Sequence, residues 1–112
     1  MQKMQALVVE DDADVASGLQ EALDVWGYQV DVADTAAQAL EVALSRRPDV
    51  IVMDGLALDI IGRVKAENPA VFVVVFSGWA NLGEKARAAG AHTFVLKPDL
   101  DGLLSAIASR AS

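Results

Sequence analysis

At 112 residues the chain has the size of one domain with room for a packed core, and its hydrophobic fraction of 54% is too high for a disordered segment. A net charge of −7 argues against general affinity for nucleic acid or an anionic membrane surface, and the lack of cysteine excludes disulfides and thiolate chemistry. The longest apolar run, Val71 to Phe76, is far too short to span a bilayer, and Met1-Gln2-Lys3-Met4 lacks the apolar stretch of a signal peptide, so a soluble cytoplasmic domain is expected.

The first predicted strand, residues 6–9, is the run Ala6-Leu7-Val8-Val9, and it ends abruptly in Glu10-Asp11-Asp12. Val15, Leu19, Leu23 and Trp26 then recur at helical spacing, with Gly27 as a stop signal. A second strand is expected over 28–32. Its Tyr28-Gln29-Val30-Asp31-Val32 alternates, which suits a sheet edge. Leu40, Ala43 and Leu44 stripe a second helix, and VIVM at 50–53 reads as a third strand, closed by Asp54. Ile60, Ile61 and Val64 mark a third helix, and the fourth strand is expected over 71–76, followed by Ser77. An Ala-rich helix over 81–89 closes at Gly90. The fifth strand, 93–96, precedes Lys97-Pro98, and Leu100, Leu103, Leu104 and Ile107 stripe a last helix capped by Asp99. Pro48, Pro69 and Pro98 all fall beside strands, where a missing N–H costs little. No linker, repeat or low-complexity tract interrupts the rhythm.

Five successive strand–helix units imply a doubly wound parallel sheet with helices on both faces. Four of the strands are almost continuously apolar, as strands covered on both faces should be. In such sheets ligands bind beyond the carboxyl ends of the strands, at the switch in strand order. Glu10 and Asp11, Asp54, Ser77 and Lys97 each follow an apolar run directly, so parallel strands line all of them along one edge. Clustered carboxylates want a cation, and hard oxygen ligands suit Mg²⁺. A metal, a hydroxyl and an ammonium around one Asp are what phosphoryl transfer to that Asp needs.

At these residues the chain resembles the receiver domain of two-component response regulators. The matching pieces are VVEDD at 8–12, PDVIVMD at 48–54, FSG at 76–78 and AGAHTFVLKP at 89–98. The resemblance covers essentially the whole chain, as a single receiver domain over 1–112 with no effector domain. It implies a five-stranded, flavodoxin-like (CheY-like) sheet of strand order 2-1-3-4-5. It also implies a phospho-acceptor at Asp54, served by Mg²⁺ on Glu10, Asp11, Asp54 and the backbone carbonyl of Leu56. Ser77 resembles the hydroxyl that follows the phosphoryl group, Lys97 the lysine that pairs with it, and Phe94 the aromatic rotamer switch. Leu56 and Trp79 stand where the family flanks the path of attacking water. Both are apolar, so the resemblance implies that a bulky indole excludes solvent and prolongs the phosphorylated state; the alternative is that the short entry to the fourth helix turns Trp79 outward or into a core contact.

The implied partners are a histidine kinase or histidine phosphotransfer protein and a downstream protein or second copy on the helix 4–strand 5–helix 5 face. Neither nucleic acid nor membrane is implied. The chain would be a signalling phospho-acceptor, assisting its own phosphorylation and dephosphorylation, and not an enzyme.

Two stretches depart from the family. The segment from Ser77 to Lys97 is about two residues short, so the fourth helix or its entry is trimmed, and the stretch after the third strand is shorter still. Met53-Asp54-Gly55-Leu56 runs straight from strand to helix, about seven residues shorter than the family's loop, in a region where loops carry function. Asp54 can thus stand for the acceptor, for the Asp of the family's Asp-Gly, or for both fused; its place after VIVM favours the acceptor. The shortening keeps open a second function, a degenerate receiver working as a phosphorylation-independent interaction module. A flavin- or nucleotide-binding domain of the same topology is disfavoured, because three acids replace the Gly- or Ser/Thr-rich loop that would hold phosphate. Plainer roles also exist: Asp12 or Asp14 is expected to cap the first helix, Phe94 to pack in the core, and His92 to sit at the surface in a turn.

Overall fold

The computed structural model describes residues 3–110, apart from the side chain of Leu56. A five-stranded sheet is formed by β1 (Gln5–Val9), β2 (Gln29–Ala33), β3 (Val50–Met53), β4 (Phe72–Ser77) and β5 (Thr93–Leu96). The spatial order is β2-β1-β3-β4-β5 and every pairing is parallel. Helices α1 (Ala13–Val25), α2 (Ala36–Arg46), α3 (Ile61–Glu67), α4 (Gly83–Ala89) and α5 (Leu100–Ser109) connect the strands or close the chain. Among the described residues no helix is long and apolar enough to cross a membrane.

Strand side chains alternate between faces, and the sequence exploits both. Leu7, Val9, Ile51, Met53, Val73 and Val75 point to a core completed by Ala39 and Ala43 of α2, Ile61 and Val64 of α3, and Ala86 of α4. Ala6, Val8, Val50, Val52, Val74 and Phe76 point the other way, onto Ala16, Leu19 and Leu23 of α1 and Leu103 and Ile107 of α5. That double burial is why the central strands read as unbroken apolar runs, each fully buried Val or Leu contributing about 1.5–3 kcal/mol. β2 is indeed an edge, with Gln29 and Val32 exposed.

Three strands sit one residue later or longer than the periodicity suggests, because their ladders are set by register with neighbours and not by hydrophobicity alone. Trp26 is a clearer correction. α1 ends at Val25, Trp26 is its C-cap and Gly27 turns the chain with φ 92, so the indole leaves the helical stripe and is 48% exposed. Gly90, with φ 113, ends α4 in the same left-handed way, which a side chain would strain.

His92 lies in the expected turn but has a task there. Its backbone N–H donates to the Val73 carbonyl (2.8 Å), the Val73 N–H donates to its Nδ1 (3.0 Å), and its ring stacks on Phe72. An accepting Nδ1 must be unprotonated. Burial, helped by the charge of Lys65, holds the imidazole pKa below its ordinary value. Folding therefore prefers the neutral ring: the contribution is complete above about pH 6.5 and is lost as pH falls through the lower folded value. Melting temperature should fall between pH 7 and pH 5, and His92→Gln should flatten that slope; an equally steep decline in the variant would refute the assignment.

Candidate functional site

The sheet's hydrogen-bond ladder continues past the carboxyl ends of its strands and fixes the residues that follow them. The Glu10 N–H donates to Ala33 (3.0 Å), the Asp54 N–H to Val9 (3.0 Å) and the Lys97 N–H to the carbonyl of Ser77 (2.9 Å). Backbone positions at this edge are thus set by the fold itself, and five of the side chains that the sequence singles out, Glu10, Asp11, Asp54, Ser77 and Lys97, converge on it. Glu10 (3% exposed), Asp54 (8%) and Ser77 (3%) are the buried polar residues among those described. Asp11 is exposed, but Glu10, Asp11 and Asp54 each bring one carboxylate oxygen within 4.8 Å of the others.

Asp12 turns away from this group. Its Oδ1 accepts the N–H groups of Asp14 (3.0 Å) and Val15 (3.3 Å), which caps α1. So the run of three acids divides its work: one serves the helix and two serve the pocket.

Glu10 is the most deeply committed of the three. Its Oε1 forms an ion pair with Lys97 Nζ, whose ammonium also lies 5.9 Å from the centre of the Phe76 ring. Burial pushes the Glu10 pKa up, but hydrogen bonds with the Asp54 carboxyl and Lys97, the Lys97 charge, and the Asp12 N–H outweigh it and leave the pKa lowered. Carboxylates held this close repel one another, a load that a cation would relieve. The donor set fits a small hard cation: three carboxylates at one point, within reach of ligand distances near ~2.1 Å for Mg²⁺ after slight closure.

The acids, Ser77 and Lys97 share one cleft of about 590 Å³, whose far wall carries Trp79, Asn81 and Leu82. Directly after Asp54 the chain enters a 3-10 turn, Gly55–Ile60, kinked at Ala57 (φ −115, ψ 22), before α3 begins. The direct passage from strand to helical turn is as the sequence suggests. A second 3-10 turn, Ala80–Leu82, leads into α4, so α4 proper begins at Gly83 and not at 81. The two turns touch: a Cβ at Gly55 would collide with Leu82 Cδ1. Leu82 packs over Gly55, so a side chain at 55 would have to displace the end of the Leu82 side chain.

Trp79 lines the cleft and is 71% exposed, with its N–H donating to Ser77 Oγ (3.2 Å). The turn Ala80–Leu82 begins directly after it. Phe94 is half-buried against the face formed by α2, α3 and α4, with its ring beside Gly83, and is not part of the cleft wall. Leu56 belongs to the first 3-10 turn, and its side chain lies outside the described residues. Asn81 is the residue that sequence reasoning missed; the shortened entry to α4 was its one signal.

A family model described as the response regulator receiver domain matches residues 6–108. The acid tolerance regulatory protein ActR of Rhizobium meliloti (strain 1021) is 29% identical over an alignment covering 93% of this chain and 58% of that protein. The transcriptional regulatory protein ZraR of Escherichia coli O157:H7 is 35% identical, over 87% of this chain and 24% of its own length. This chain therefore spans about half or less of these curated relatives. In three dimensions, a CheY-like response regulator receiver domain protein from Methanospirillum hungatei JF-1 superposes with a TM-score of 0.89 at 21% identity, covering 97% of this chain and 94% of that one.

Proposed function

The chain belongs to the response regulator receiver domain family, and from that premise we propose that it accepts a phosphoryl group from a phosphohistidine onto Asp54 and thereby alters a protein-binding face. The observation that carries this reading is the convergence of Glu10, Asp11 and Asp54 with Ser77 and Lys97 in one cleft. A carboxylate oxygen of Asp54 forms the new P–O bond as the P–N bond of the donor breaks. The imidazole nitrogen leaves with the bonding pair and regains a proton from solvent. Such transfer depends mainly on positioning and charge neutralisation.

Glu10, Asp11 and Asp54 would hold Mg²⁺, with the Leu56 carbonyl as a further oxygen donor. The cation supplies positive charge beside the incoming phosphoryl group. Lys97, already drawn to the pocket by Glu10, is placed to exchange that partner for a phosphoryl oxygen. The Ser77 hydroxyl, held at the last position of β4, is placed to donate to another. Ser77 pairs in register with Leu96 and Val75 with Phe94, so movement at Ser77 is coupled through two strands to the α4–β5–α5 face. A downstream protein or a second copy would read that face, and a cytoplasmic histidine kinase or phosphotransfer protein would supply the phosphoryl group.

The test is intact-mass spectrometry after incubation with acetyl phosphate and Mg²⁺. One phosphoryl group should add to the wild type and none to Asp54→Asn. A folded wild type that stays unmodified would overturn the reading and favour the phosphorylation-independent module, to which the short turn after Asp54 also lends itself.

A further inference from the structure

We propose that Asn81 orients the water that removes the phosphoryl group from Asp54; this rests on the reading above. Asn81 lines the cleft that holds Asp54, Ser77 and Lys97, and its carboxamide makes no hydrogen bond to the protein. Glu10 is tied to Lys97 and Asp54, Asp12 caps α1, and Ser77 Oγ accepts the Trp79 N–H, while Asp11 belongs to the carboxylate cluster. Asn81, exposed at the cleft, is a neutral side chain there with its full hydrogen-bonding capacity to spare, one acceptor and two donors.

Its placement is structural and specific to this chain. Leu82, the next residue, is seated on Gly55, the residue directly after Asp54. The turn is closed by the Leu82 N–H donating to the Trp79 carbonyl (3.0 Å). The entry to α4 therefore packs on the residue directly after the acceptor, and Asn81 beside Leu82 lines the cleft with Asp54. Water can reach it, since the Trp79 indole is 71% exposed at the rim.

The chemistry is hydrolysis of an acyl phosphate. The water oxygen forms the new P–O bond while the bond between phosphorus and the Asp54 carboxylate oxygen breaks. The carboxylate leaves with the bonding pair, and the proton from water passes to the released phosphate. An amide is no base, but its carbonyl oxygen can accept one water hydrogen and aim a lone pair at phosphorus, while its NH₂ donates to a phosphoryl oxygen. Orientation by a single group of this kind is worth a few-fold to about tenfold in rate.

The experiment loads the full chain with acetyl phosphate and Mg²⁺, removes donor and metal with excess EDTA, and follows loss of the phosphoryl group by intact mass. Asn81→Ala should take up the phosphoryl group as wild type does and lose it three- to tenfold more slowly. Its gain in melting temperature with Mg²⁺ and beryllofluoride, a phosphoryl mimic, should match that of wild type, which a merely structural role would not allow. Trp79→Ala should leave the decay unchanged. Equal or faster decay in Asn81→Ala would overturn the assignment, as would several-fold acceleration in Trp79→Ala, which would mean that the indole closes the water path. Wild type that never takes up a phosphoryl group fails at the loading step, and then the proposed function falls together with the assignment.

Discussion

Lys97→Met should destabilise the folded chain by about 2–4 kcal/mol at pH 8, most of what breaking a buried ion pair costs. Glu10 is 3% exposed and Lys97 is its cation. Methionine keeps an apolar stem beside Phe76, so packing changes little and the loss reports the charge. In the wild type the Glu10 pKa is lowered, so its contribution is present above the ordinary carboxylate value and is lost as pH falls through the depressed one. Without Lys97 the burial that now opposes this shift prevails and the pKa rises. The variant should then gain relative stability on acidification, as Glu10 takes up a proton and the buried charge disappears. Urea denaturation at pH 8 and pH 5 measures both parts. Equal stability of variant and wild type at pH 8 would mean that Glu10 has another route to neutrality. Glu10→Gln in the Lys97→Met background should recover most of the loss, because it removes the stranded charge.

The elements that positioned this pocket were legible because they obey short-range rules. VIVM and VFVVVF are buried on both faces, and the residue after such a strand in a parallel sheet has few places to go. Asp54, Ser77 and Lys97 could therefore be put on one edge from the primary structure. What stayed hidden depended on contacts between segments distant in sequence. The cap expected at Asp12 or Asp14 falls to Asp12, because the first N–H groups of α1 lie two and three residues ahead of it. Trp26 fits a helical stripe on paper, but helix length decides, and α1 stops one residue short of it. Trp79 could be shield or exposed side chain on the primary structure; it is 71% exposed, beside a turn starting at Ala80. Asn81 carried no motif. Its place in the cleft follows from Leu82 resting on Gly55, a contact across 27 residues that no periodicity encodes.

The same geometry makes the acid cluster a stability switch. Glu10, Asp11 and Asp54 hold ligand oxygens within 4.8 Å of one another, with Lys97 paired to Glu10. Unit charges ~4 Å apart repel by about 4 kcal/mol at an effective dielectric near 20, and less where one partner, here Asp11, is exposed. Without a divalent ion Asp11→Asn should thus raise stability by about 1 kcal/mol, or roughly 4–8 °C in melting temperature for a domain near this size. The gain should shrink in 1 M salt, where the Debye length falls to about 3 Å. Wild type should respond strongly to Mg²⁺, because an ion that binds only the folded state stabilises it by about 2.7 kcal/mol at a hundredfold excess over its dissociation constant. Asp11→Asn should lose that response, since a neutral amide replaces one of three anionic ligands, so melting curves of the two proteins should cross as Mg²⁺ is titrated in. Curves that stay parallel at every Mg²⁺ concentration would show that the carboxylates converge without binding a metal, and that Lys97 alone balances the pocket.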